Sequence, residues 1–197
     1  MTDTVIVDSG GANLASLQYA LARLGASSVV TDDPRRIASA SRVLLPGVGA
    51  AGDAMHRLRG RGVDQVIPSL KVPLLGICLG MQLLFEHSSE DETRCLGVLP
   101  GGIGRLQPRP TRPVPHMGWN TLESMRADPL LRGIETSDHV YFVHSYVAPV
   151  SATTLASVQY GDSFAAVVRW NNFSGVQFHP ERSGPVGARV LRNFLSI

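Results

Sequence analysis

Val72-Pro73-Leu74-Leu75-Gly76-Ile77-Cys78-Leu79-Gly80-Met81-Gln82 runs from a continuous apolar stretch, through a cysteine held between glycines, into a second apolar segment. The part up to Ile77 has the texture of a buried strand, and Met81-Gln82-Leu83-Leu84-Phe85-Glu86 that of a helix. A nucleophile flanked by glycines between strand and helix makes an elbow. The glycines let the backbone turn sharply, so the side chain projects at the carboxyl edge of a sheet. The unpaired N–H groups and positive dipole end of a helix start favour a thiolate over a thiol, and the N–H of Leu79 is placed to stabilise an oxyanion. A lone cysteine is more often a packing residue, and Cys95, between Arg94 and Leu96 in an expected loop, fits that role. The flanks of Cys78 set it apart.

Upstream of the elbow, Thr4-Val5-Ile6-Val7 has the pattern of a buried strand. Leu14, Leu17, Leu21 and Leu24 then recur at helical spacing until Gly25 stops the run. Val29-Val30 and Val43-Leu44-Leu45 are two further short apolar runs, each separated from the next by a segment that can hold a helix. Alternation of this kind predicts a mostly parallel sheet covered on both faces, an α/β fold. From about Gly97 the texture changes. Gly and Pro crowd Leu99–Pro115, and strand-like runs at Val140–Val147, Thr153–Val158, Phe164–Trp170 and Ser174–Phe178 have short connections, which predicts an antiparallel C-terminal region. A closing helix is expected over Val186–Leu195. With no internal repeat or long linker, residues 1–197 are expected to form a single domain.

Composition excludes several classes. The chain has 197 residues with 18 basic and 16 acidic side chains, and Lys71 is its one lysine. The arginines are scattered and form no stripe able to track a phosphate backbone, so nucleic acid is not an expected partner. No apolar stretch approaches the roughly 18 residues of a membrane span, and the start lacks the order of a signal peptide. Two cysteines without paired spacing make neither a disulfide scaffold nor a zinc site. A cytoplasmic protein, with no membrane partner, is expected.

A cysteine nucleophile needs a base, and Gln177-Phe178-His179-Pro180-Glu181 supplies one at the end of an apolar strand. In an extended chain, side chains two apart point the same way, so Glu181 can orient the ring of His179 and stabilise its imidazolium. His56, His87, His116, His139 and His144 have no comparable partner in the sequence, and no metal site or cofactor is indicated. Leu45-Pro46-Gly47-Val48-Gly49-Ala50-Ala51-Gly52 contains Gly-x-Gly-x-x-Gly after a strand. That pattern binds dinucleotides when it sits on the first βα unit with an acidic residue ending the next strand, whereas here the next strand ends in Cys78. The loop is better suited to bringing a second backbone N–H to an oxyanion, or to an ordinary tight turn.

Taken together, Gly76–Gln82, Phe178-His179-Pro180-Glu181 and Pro46-Gly47-Val48-Gly49 resemble, in order and over essentially the whole chain, the class I or triad glutamine amidotransferases. Four blocks narrow the resemblance to the glutaminase subunits of imidazole glycerol phosphate synthase. They are Asp8–Leu14, Val114-Pro115-His116-Met117-Gly118-Trp119-Asn120, Tyr141-Phe142-Val143-His144-Ser145-Tyr146 and His179–Gly184.

The resemblance implies a flavodoxin-like three-layer fold and a Cys78-His179-Glu181 triad that hydrolyses glutamine through a thioester. It implies an oxyanion hole from the backbone of Leu79 and of Val48 or Gly49, and a glutamine pocket lined by Gly47, Gly49, Gln82, His144, Ser145 and Tyr146. It implies no cofactor. It further implies a heterodimer in which ammonia passes to a cyclase subunit making imidazole glycerol phosphate and aminoimidazole carboxamide ribotide, with Asn13, Met117, Trp119, Tyr141 and Arg182 near that partner. Trp119 and Tyr141 would be equally at home in a core. Two positions depart from the family pattern: Arg182 stands where Lys is common, and Ala51 where Phe is common. Alternatives are a triad amidotransferase serving a different synthase, against which the His-Met-Gly-Trp-Asn block argues, a hydrolase of other amides or esters, and a binding module without chemistry.

Overall fold

The computed structural model describes residues 4–10 and 14–197. In chain order the strands are β1 (Thr4–Val7), β2 (Ser28–Thr31), β3 (Arg42–Gly47), β4 (Leu74–Cys78), β5 (His87–Ser88), β6 (Thr93–Arg94) and β7 (Gly102–Arg105). They continue with β8 (His116–Thr121), β9 (His139–His144), β10 (Tyr146–Val147), β11 (Thr154–Tyr160), β12 (Asp162–Trp170) and β13 (Phe173–Val176). The helices are α1 (Leu14–Arg23), α2 (Pro34–Ala38), α3 (Ala51–Gly60), α4 (Val63–Val66), α5 (Leu79–Gln82) and α6 (Gly184–Leu195).

Seven strands form the central sheet in the order β11-β12-β13-β4-β3-β1-β2. From β2 to β13 neighbours run parallel, and β12 and β11 complete the sheet antiparallel. Successive strand residues face opposite ways, which sorts the apolar runs into two cores. Val5, Val7, Val43 and Leu45 pack with Ile37, Met55, Leu58 and Val63 from the α2–α4 side. Ile6, Leu44, Leu75 and Ile77 pack with Leu17 and Leu21 of α1 and Val190, Leu191 and Phe194 of α6. The result is a three-layer α/β fold, each fully buried Leu, Ile or Phe contributing about 1.5–3 kcal/mol. No described helix is long and apolar enough to cross a membrane.

A small sheet, β10-β7-β5-β6, and an antiparallel pair, β8 with β9, stand apart from the central sheet. The pair places His116 opposite His144 and Trp119 opposite Tyr141. Val140 and Phe142 turn into the core, while Met117 and Trp119 face outward.

Two expectations need correction. The helix after the elbow ends at Gln82 instead of continuing to Glu86, and Leu83, Leu84 and Phe85 are buried beyond its end. Their carbonyls accept the N–H groups of Leu96, Val98, Leu99 and Gly97 from the following segment. The run Val140–Val147 also breaks at Ser145, whose carbonyl accepts the N–H of Leu106 as β10 leaves β9 to pair with β7.

Candidate active site

Three parallel strands deliver the site to one edge of the sheet. Gly47 at the end of β3 lies opposite Cys78 at the end of β4, and Val176 at the end of β13 lies opposite Ile77. Ligands of open α/β sheets bind at that carboxyl edge. Cys78 has φ 54° and ψ −114°, a left-handed conformation that costs a non-glycine residue about 1–3 kcal/mol and is held by its neighbours. Its flanking glycines are required by close approach: a Cβ on Gly80 would stand 1.7 Å from the Leu45 carbonyl oxygen, and one on Gly76 would stand 2.7 Å from the Gly80 oxygen. Leu79 begins α5 directly after the cysteine.

His179 and Glu181 reach each other by a different local route from the one the sequence suggests. His179 is extended, with φ −98° and ψ 99°, but Pro180–Arg182 forms a 3-10 turn instead of continuing the strand. That turn is seated on α6, where a Cβ on Gly187 would stand 1.9 Å from the Pro180 oxygen. Nδ1 of His179 donates to Oε1 of Glu181 at 2.8 Å, with the two side chains 8% and 9% exposed. Donation from Nδ1 leaves Nε2 as the reactive nitrogen, and it makes no hydrogen bond of normal geometry among the described residues. Burial opposes charge on the ring, but the sulfur of Cys78 and the carboxylate of Glu181 outweigh it and raise the pKa to about 10.

Cys78 and His179 open into a pocket of about 310 Å³. Val48, Gly49, Leu79, Gln82, His144, Ser145 and Tyr146 also line it, so most of the expected substrate positions converge there. Gly47 does not. It packs against the elbow, where a Cβ would stand 2.9 Å from the Gly80 nitrogen, and lines an adjoining cavity with Val48, His179 and Glu181.

Glu90 and Pro115 line the same pocket and were not apparent in the sequence. Glu90 belongs to an acidic run, Glu90-Asp91-Glu92, that looks like ordinary solvated surface. Its Oε2 accepts the N–H of Ala51 at the start of α3, and burial raises its pKa above the usual carboxylate value.

The histidine reading also changes. His116 and His144 are buried and paired, Nδ1 to Nε2 at 3.1 Å. Burial lowers the pKa of His116 to about 4 and that of His144 to about 3, so both rings are neutral at pH 7. Cys95 is buried and its pKa is raised to about 11, again by burial, which keeps it an unreactive thiol.

Of the expected partner positions, Met117 is 62% and Trp119 55% exposed. The Tyr141 ring lies edge-on to Trp119 at 5.8 Å and beneath the Arg182 guanidinium at 4.3 Å. Asn13 lies outside the described residues. Ala51 is fully buried.

The chain matches the family described as glutamine amidotransferase class-I over residues 5–197. It is 51% identical over 197 residues to the "Imidazole glycerol phosphate synthase subunit HisH" of Xylella fastidiosa strain Temecula1, covering 100% of this chain and 98% of that protein. The protein of the same name from Xanthomonas campestris pv. campestris strain 8004 is 53% identical with the same coverage. In fold it is similar to a crystal structure of a glutamine amidotransferase, with TM-score 0.75 and 21% identity, covering 98% of this chain and 97% of that one. A glutamine amidotransferase from Thermotoga maritima superposes with TM-score 0.65 and 18% identity, covering 99% of this chain and 81% of that one. A match of this extent, together with the elbow cysteine and the histidine–glutamate pair at one sheet edge, shows that the chain belongs to the class I glutamine amidotransferase family.

Proposed function

We propose that residues 1–197, as one domain, hydrolyse glutamine with Cys78, His179 and Glu181 and serve as the glutaminase subunit of an imidazole glycerol phosphate synthase. The observation that carries the chemistry is the convergence of Cys78, the His179–Glu181 pair and the Val48-Gly49 loop on one pocket. The narrower assignment rests on relatives of that name at 51% and 53% identity over the full chain.

In this reading the Cys78 sulfur adds to the side-chain carboxamide carbon of glutamine. The resulting oxyanion is held by the N–H of Leu79 and a backbone N–H of Val48 or Gly49, a contribution of about 10²–10³ in rate for each donor. The pKa of His179, raised to about 10, keeps a proton on the ring at neutral pH. The ring gives that proton to the amide nitrogen as the C–N bond breaks, and ammonia leaves. His179, now neutral, takes a proton from water, the hydroxide adds to the thioester, and the C–S bond breaks to release glutamate. Glu181 orients the ring throughout. The Glu90 carboxylate faces the same pocket and suits the substrate α-ammonium by charge.

Ammonia would pass to a cyclase subunit docked on the face formed by Met117, Trp119, Tyr141 and Arg182, where two large apolar side chains stand exposed on the strand paired with β9. The test is glutamate release from glutamine by the purified chain, alone and with the cyclase subunit plus its nucleotide ligand. A large stimulation is expected. Activity indifferent to that partner would reassign the synthase, and no activity in any mixture would remove the glutaminase reading.

A further inference from the structure

The main-chain carbonyl of Tyr146 can only accept hydrogen bonds, and it receives two: Nε2 of Gln82 at 2.8 Å and Nδ1 of His144 at 3.1 Å. The first contact forces the Gln82 carboxamide to present nitrogen to β10. The second N–H of the same nitrogen donates to Oε1 of Gln177 at 2.9 Å. Gln177 must therefore present oxygen to Gln82 and nitrogen the other way, where its Nε2 lies 3.7 Å from the sulfur of Cys78. The orientation of every group in this relay follows from one carbonyl. Gln177 is 0% exposed, so no solvent competes for its carboxamide, and Gln82, at 4%, is nearly as enclosed. The backbone of Gln177 is pinned as well, its N–H donating to the Ala166 carbonyl at 2.8 Å.

The other contact of the sulfur has the opposite character. The Val143 carbonyl lies 3.8 Å from Sγ, where it can accept only a thiol proton. Once that proton is gone the carbonyl opposes negative charge on sulfur, while the N–H of Gln177 supports it.

We propose that Gln177 is a further catalytic residue, whose side-chain N–H, aimed by Gln82 and the Tyr146 carbonyl, stabilises Cys78 as an anion before it attacks and again when the thioester C–S bond breaks. The inference rests on Cys78 being the nucleophile. It assigns a role to a side chain 99 residues from the cysteine in sequence.

The test compares Gln177→Glu and Gln177→Met with the parent chain, all carrying Cys95→Ser so that one thiol is followed. Glu keeps an acceptor for Gln82 and loses the amide donor, while Met keeps the length of the side chain and loses both groups. In both variants the pH midpoint of Cys78 alkylation by iodoacetamide is expected to move up by about one unit, with the rate roughly tenfold lower than the parent's at pH values below that midpoint, as for loss of a weak charge-assisted hydrogen bond. kcat for glutamine should fall in step, with KM little changed. Folded variants with the parent's alkylation profile would overturn the proposal. Should both variants fail to fold, the side-chain amide protons of Gln177 in the ¹⁵N-labelled parent decide it: they are expected to shift as Cys78 ionises and on its alkylation, and an unchanged signal would overturn it. If the parent itself neither hydrolyses glutamine nor alkylates at Cys78, the nucleophile assignment fails first and this inference with it.

Discussion

Oε2 of Glu90 accepts the main-chain N–H of Ala51 at 2.8 Å, so one carboxylate both faces the reaction pocket and caps the helix that follows the glycine loop. The two duties separate by substitution. Gln at position 90 keeps an acceptor for Ala51 and loses the charge, so KM for glutamine should rise about 10- to 100-fold with the melting temperature nearly unchanged. Ala loses both, and should in addition cost about 1 kcal/mol of stability. Steady-state kinetics with thermal melts check both, and an unchanged KM in Glu90→Gln would remove the ammonium-binding role.

The two cysteines should behave as opposites. Cys78→Ser is expected to lower glutamate release by more than about a thousandfold, since residues acting as a catalytic unit fail together. Cys95→Ser, at a buried thiol whose hydrogen bond is a long one to the Thr93 carbonyl at 3.6 Å, should leave turnover within about twofold. Rates of glutamate release at saturating glutamine decide between them.

Because the pKa of His179 in the fold lies above the ordinary histidine value, its interactions favour the protonated ring. Their contribution to stability is fully present below pH 6.5 and is lost as pH rises through about 10. Glu181→Gln removes the carboxylate that holds the proton, so its deficit in urea midpoint against the parent should be largest near pH 6 and shrink toward pH 10. A deficit that grows with pH would contradict a charged resting ring.

The His116–His144 pair carries the opposite sign. With pKa values lowered to about 4 and 3, both rings are neutral in the fold while their unfolded counterparts protonate below about 6.5. Their contribution is present above pH 6.5 and lost as pH falls toward 3. His116→Asn, which keeps a donor for His144 without a titrating ring, should show a shallower loss of melting temperature between pH 7 and pH 4. An identical slope would show that other groups set the acid limit.

Trp119 is half exposed and rests on Tyr141. Trp119→Ala should therefore reduce stimulation by the cyclase subunit at least tenfold, as expected of an aromatic anchor, while shifting the melting temperature by about 2 °C or less. A fall in melting temperature with stimulation intact would return Trp119 to a packing role.

Much of this molecule is legible residue by residue. Continuous apolar runs such as Val43-Leu44-Leu45 and Leu74–Ile77 identify parallel strands buried on both faces, and Gly76 and Gly80 around Cys78 identify the turn. Local chemistry also pairs His179 with Glu181, though by a 3-10 turn and not by strand alternation.

What sequence by itself determined was therefore the layer order, the elbow and the candidate nucleophile and base, because strand period, glycine spacing and neighbouring side chains are encoded within a few residues. Tertiary structure alone decided that Glu90 meets Ala51 across 39 residues, that His116 meets His144 across 28, and that Gln177 points its N–H at Cys78 across 99. It also shortened the helix after the elbow, because the carbonyls of Leu83, Leu84 and Phe85 accept from Leu96, Gly97, Val98 and Leu99 instead of from a further helical turn. Such contacts depend on which strand ends lie side by side and on where an unpaired donor or acceptor finds its complement. Neither leaves a periodic trace in the chain.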